Sequence, residues 1–117
     1  LMNICLIEDD EIYAEFIKKA LSQHAGYQVA AYASAEDALK AINGQMPDVM
    51  IIDYKLPGIS GIELYEKIKD KITDTNKVIM LSALDDGQMV LSFIQKGVRD
   101  YVIKDENVIE SLLAILE

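Results

Sequence analysis

Asp48-Val-Met-Ile-Ile-Asp53-Tyr-Lys-Leu-Pro57-Gly58 is the stretch whose reading decides the fold. Val49 to Ile52 are apolar without a break and are bounded by acids. A run that short and that uniformly apolar predicts a strand buried on both faces, which is the environment of a parallel sheet covered by helices. The chain then reaches Asp53 and breaks at Pro57-Gly58, a pair suited to a type II turn. In open parallel sheets ligands sit beyond the carboxyl ends of the strands, near the point where strand order reverses. A carboxylate there can cap the following helix or carry out chemistry, and the acids elsewhere in the chain favour chemistry.

Outward from this strand the pattern repeats. Asn3 to Ile7 reads as a first strand, with Cys5 as a core residue inside it. Four acids follow without a gap, Glu8-Asp9-Asp10-Glu11. Acids complement the dipole and cap the free N–H groups of a helix start, which accounts for Asp10 or Glu11. Glu8 and Asp9 fall instead at the carboxyl end of the strand. Tyr13, Phe16, Ile17, Ala20 and Leu21 recur at helical spacing and predict the inner face of the first helix. His24, the single histidine, sits near its end and reads as solvated.

Gln28 to Tyr32 is a less apolar strand, expected at an edge. Ser34 with acids following caps a second helix that stops near Asn43-Gly44. Ser60-Gly61 leads into a third helix, with Leu64, Tyr65, Ile68 and Ile72 as its inner stripe. Lys77 to Leu81 is a fourth buried strand ending at Ser82-Ala83. Asp85-Asp86-Gly87 is expected to cap a fourth helix, with Val90, Phe93 and Ile94 inward and Gly97 as its stop. Tyr101 to Ile103 forms a short fifth strand followed by Lys104-Asp105. Val108, Ile109, Leu112, Leu113 and Leu116 line the last helix.

Strand and helix thus alternate five times, which implies an α/β doubly wound parallel sheet with helices on both faces. Right-handed crossovers leave few topologies, among them the flavodoxin-like order 2-1-3-4-5. That order sets Glu8 and Asp9 beside Asp53. Three carboxylates in one crevice repel one another unless a cation neutralises them. Oxygen donors without imidazole or thiolate favour magnesium, or manganese, over zinc. The neighbouring strand ends add the hydroxyl of Ser82 and the ammonium of Lys104. Metal, carboxylate nucleophile, hydroxyl and lysine together match the needs of a phosphoryl group that Asp53 can attack.

The 117 residues fit one domain, expected over residues 1–117, with 51% hydrophobic and 26% charged residues. A net charge of −9 argues against direct nucleic-acid binding. No apolar run approaches the ~18 residues of a membrane span, and no leader is evident. One cysteine excludes an internal disulfide and fits a reducing cytoplasm.

Ile-Glu8-Asp9-Asp10, Asp53 with Pro57-Gly58 and Gly61, Leu-Ser82-Ala83, and Gly97-Val-Arg-Asp-Tyr101-Val-Ile-Lys104 resemble the receiver domain of bacterial two-component response regulators. The resemblance covers the whole chain, with its motifs in order at the strand ends. It implies phosphorylation of Asp53 by a partner sensor histidine kinase or phosphotransfer protein, making the chain a phosphoacceptor rather than an enzyme. It implies magnesium held by Asp9, Asp53 and the backbone carbonyl of Lys55, with Glu8 acting through water. Ser82 and Lys104 would contact the phosphoryl oxygens. Tyr101 matches an aromatic switch residue, and the helix 4–strand 5–helix 5 face would carry the signal to a homodimer partner or to an output domain beyond Glu117. Many relatives have proline after the lysine, often with a cis bond; this chain has Asp105, for which a trans bond is expected, since cis without proline costs roughly 2.5–4 kcal/mol. Lys55 and Leu84 are expected to border the approach of attacking water.

Two other classes use similar parts. A metal-dependent phosphatase acting on free substrates through an aspartyl-phosphate commonly has a second aspartate two residues after the first, where this chain has Lys55. A flavin-binding module needs a hydroxyl- and amide-rich loop after the first strand, where this chain has acids.

Overall fold

The structure is a computed structural model that describes residues 1–83 and 87–117. Its strands are β1 (Met2–Ile7), β2 (Tyr27–Tyr32), β3 (Val49–Asp53), β4 (Lys77–Ser82) and β5 (Asp100–Ile103). Between and after them run α1 (Glu11–Ser22), α2 (Ala35–Ile42), α3 (Gly61–Ile68), α4 (Gly87–Gln95) and α5 (Val108–Leu116). All strand pairs are parallel and the sheet order is β2-β1-β3-β4-β5, the flavodoxin-like doubly wound arrangement expected from the alternation.

Strand alternation divides the core in two. Cys5, Ile7, Met50, Ile52, Val78 and Met80 point to one face, where they meet α2, α3 and α4 through Ala38, Ile42, Leu64, Ile68 and Phe93. Ile4, Leu6, Val49, Ile51, Ile79 and Leu81 point to the other, against α1 and α5 through Ile17, Leu21, Leu112 and Leu116. Every residue of β3 is buried, so this strand is apolar on both faces because both are covered. Each fully buried aliphatic side chain contributes about 1.5–3 kcal/mol relative to exposure. Cys5 belongs to this interior, and burial pushes its thiol up to about 12.

The edge position expected for β2 is observed, and its residues alternate between half-buried and exposed over most of its length. Some helix faces differ from their expected orientation. In α1 the sheet-facing residues are Ala14, Ile17 and Leu21, while Phe16 is 49% exposed. In α4 Phe93 is fully buried but Ile94 is 57% exposed. Helical spacing places neighbouring residues about 100° apart, so an apolar residue at the margin of a stripe can turn outward. Ile72 lies beyond α3, after a 3₁₀ turn over Lys69–Lys71, in extended backbone and partly buried against the same core. The expected caps of α4 at Asp85 and Asp86, and Leu84 at the border of the site, lie outside the described residues. All described peptide bonds are trans, including Lys104-Asp105.

Candidate functional site

The site grows from strand register. Ile7 of β1 pairs with Ile52 of β3, so the next residues, Glu8 and Asp53, leave the sheet side by side. Asp53 pairs in turn with Leu81 of β4, and Ser82 with Ile103 of β5, which puts Ser82 and Lys104 at the same end of the sheet. α1 packs on one face and α2 on the other, so β1 and β3 flank the reversal of winding where parallel sheets bind ligands.

Local hydrogen bonds hold the acids in place. Asp10 caps α1, its carboxylate accepting from the N–H groups of Ile12 and Tyr13 at 3.0 and 3.1 Å. Its own N–H donates to Glu8 Oε2 at 3.1 Å, so the cap and the crevice share one turn. The Lys55 N–H donates to Asp53 Oδ1 at 3.2 Å. After the turn at Gly58, whose φ of +73° suits the glycine position of a type II turn, the Gly61 N–H donates to the Tyr54 carbonyl at 2.9 Å. Ser60 and Glu63 form a reciprocal capping box that starts α3 there.

Glu8, Asp9 and Asp53 each present a carboxylate oxygen within 4.8 Å of the others. Glu8 and Asp53 are buried, Asp9 is exposed. Lys104 Nζ reaches Glu8 Oε1 at 2.5 Å and Asp53 Oδ2 at 3.1 Å. Burial raises the Glu8 carboxyl above its ordinary range; hydrogen bonds from Lys104 and from the Asp10 N–H oppose the rise, and the Asp53 charge adds to it. Burial works against the charge on Lys104, but the hydrogen bond to Glu8 and the Asp53 charge outweigh it and the ammonium is held more firmly than usual.

The crevice gathers three carboxylates against one ammonium, and all donors present are hard oxygens. The residues therefore fit a small divalent cation such as magnesium.

The residues singled out from the sequence are distributed as follows. Glu8, Asp9, Asp53 and Lys104 converge. Lys55 joins them through its backbone, its side chain being exposed. Ser82 is buried at the adjacent strand end. Tyr101 stands apart on β5, opposite Met80 and 41% exposed. Tyr13, read from the sequence only as part of the inner face of the first helix, has its ring centroid 4.9 Å from Lys104 Nζ. Its only signal was an aromatic in the first turn of the helix that follows the acidic run.

Fold and crevice together define a parallel α/β protein with a carboxylate site suited to a hard divalent cation. Residues 4–117 match the response regulator receiver domain. Transcriptional regulatory protein AfsQ1 of Streptomyces coelicolor is 37% identical over 102 residues, covering 87% of this chain and 44% of that protein. The DNA-binding transcriptional regulator NtrC of Proteus hauseri is 30% identical over 113 residues, covering 97% and 24%. The chain thus spans less than half the length of these curated relatives. Among solved structures, the BeF3-activated receiver domain of DrrB, a Thermotoga maritima OmpR/PhoB homolog, superposes with a TM-score of 0.85 at 30% identity, covering 99% of this chain and 94% of that one. The chain belongs to the receiver-domain family of two-component response regulators. The match gives no support to the phosphatase alternative. Among the described residues, no helix is long and apolar enough to cross a membrane.

Proposed function

We propose that residues 1–117 act as one receiver domain in which Asp53 accepts a phosphoryl group from a partner histidine kinase or phosphotransfer protein. The observation that carries this reading is the single ammonium of Lys104 bridging Glu8 and Asp53 beside a third carboxylate, Asp9. An Asp53 carboxylate oxygen forms the new bond to phosphorus as the bond from phosphorus to the donor's imidazole nitrogen breaks, and the electron pair of that bond leaves with the imidazole. Lys104 then pairs with the phosphoryl oxygens, and Ser82 donates a hydrogen bond to them. Asp9, Asp53 and the Lys55 carbonyl, with Glu8 through water, would hold magnesium, or manganese, which would supply charge neutralisation. Burial of Glu8 and Asp53 strengthens these interactions by keeping bulk water out.

In this reading the chain is a cytoplasmic signalling module rather than an enzyme with free substrates, and it does not itself contact nucleic acid. Ser82 and Tyr101 bias the α4–β5–α5 surface between two states, for a homodimer partner or for an output domain beyond Glu117. The exposed side chains of Leu91, Ile94 and Tyr101 support an interaction face there.

The deciding experiment is uptake of phosphoryl from a small phosphodonor such as acetyl phosphate. One group per chain is expected, with magnesium only, and none for Asp53→Asn, which retains the shape but cannot form the acyl phosphate. Equal incorporation by the Asn variant would place the acceptor elsewhere.

A further inference from the structure

We infer that Tyr13 is a positioning residue for Lys104: its ring face carries the ammonium and aims it at Asp53. The inference rests on the reading that Asp53 is a phosphoacceptor. Lys104 Nζ lies 4.9 Å from the Tyr13 ring centroid, inside the ~6 Å range of a cation–π contact. The same ammonium meets Glu8 at 2.5 Å and Asp53 at 3.1 Å, so the ring forms a third wall around it.

The three walls are not equivalent. Glu8 and Asp53 are the carboxylates that a divalent cation and a phosphoryl group would engage. Once they are engaged, their hold on Lys104 weakens and the flexible lysine stem regains freedom. The Tyr13 ring is neutral and offers no ligand oxygen to the crevice. Its hydroxyl is buried and, among the described residues, has no hydrogen-bond partner. The π face therefore holds the ammonium through every state of the crevice without competing for metal or phosphoryl.

The placement of the ring is itself built in. The Tyr13 N–H is one of the two that Asp10 caps, and the Asp10 N–H donates to Glu8. The first turn of α1 is thereby locked to the acid that Lys104 binds. Phe16 backs the ring, its centroid 6.0 Å away.

The test compares Tyr13→Phe, which keeps the ring, with Tyr13→Leu, which removes it; Tyr13→Met serves if the Leu variant does not fold. Initial rates of phosphoryl uptake from acetyl phosphate with magnesium are measured on the whole chain. The ring-less variants should be slower by roughly threefold to thirtyfold, the span of cation–π strengths from exposed to desolvated sites. Tyr13→Phe should stay within about twofold of the parent, because the hydroxyl it removes has no partner among the described residues. A second readout does not depend on activity. In lysine-labelled protein, the ε-CH2 protons of Lys104, assigned with Lys104→Met, should be shifted upfield by the ring current in the parent and the Phe variant. That shift should vanish in the ring-less variants. Parent-like rates in the ring-less variants, slowing without loss of the shift, or a Phe variant as slow as the Leu variant would each overturn the inference. If the parent takes up no phosphoryl, the reading of Asp53 fails instead, and the ring-current shift alone then decides whether Tyr13 holds Lys104.

Discussion

Gly61 shows how closely the chain is drawn around Asp53. A Cβ at residue 61 would lie 2.3 Å from the Asp53 carbonyl oxygen and 2.5 Å from the Tyr54 Cα, both backbone atoms that no rotamer change can move aside. Gly61→Ala must therefore separate the start of α3 from the end of β3. A destabilisation of about 1–3 kcal/mol is expected, as for overpacking elsewhere, with slower phosphoryl uptake because Asp53 is displaced. Urea unfolding followed by circular dichroism measures the first effect; an unchanged midpoint would show that the loop yields freely. Single residues also mark where the sequence was legible. Asp53, Glu8 and Asp9 could be read because each follows an apolar run whose end fixes its position. Tyr13 could not, because its partner Lys104 lies on the far side of the chain and only the folded register brings a ring beneath that ammonium. Phe16 and Ile94 continue the apolar spacing yet face outward, because spacing defines a stripe but not its edges.

At the level of elements, α1 does two jobs. Its buried face, Ala14, Ile17 and Leu21, anchors it on the sheet, and its capped start frames the crevice. The buried strands β1, β3 and β4 were legible because their apolar runs, containing Ile or Val, are too short for a buried helix, whereas the less apolar β2 rested on the alternation of elements. Helix limits were less so: α3 stops at Ile68 and a 3₁₀ turn follows, although Ile72 continues the apolar spacing. Asp10 tests whether α1 is held by its cap or only by packing. Asp10→Ala frees the N–H groups of Ile12 and Tyr13 and should cost about 1 kcal/mol, within a usual range of about 0.5–2. Asp10→Ser should recover most of that loss. Denaturant melts of the two variants check this, and an Ala variant as stable as the parent would assign the whole of α1's stability to its buried face.

For the molecule as a whole, charge is the dominant tension. Asp and Glu number 20 against 11 Lys and Arg, and Glu8, Asp9 and Asp53 concentrate part of that excess in one crevice. Lys104 pairs with two of these three carboxylates, Glu8 and Asp53. An unfolded chain has no such crevice, so a cation that binds there stabilises the folded state by mass action. At ten times its dissociation constant, magnesium should add about 1.4 kcal/mol. For a domain of this size that is a rise in melting temperature of roughly 4–8 °C. Asp9→Ala deletes the exposed member of the cluster while leaving Asp10 to cap the helix. It should remove most of the magnesium response and raise the metal-free melting temperature, because two buried carboxylates then face one fewer like charge. Thermal melts of parent and variant, with magnesium chloride and with potassium chloride at matched ionic strength, separate specific binding from screening, which acts on both proteins alike. A magnesium-dependent shift that survives in Asp9→Ala, or that potassium reproduces, would count against a metal site at these carboxylates.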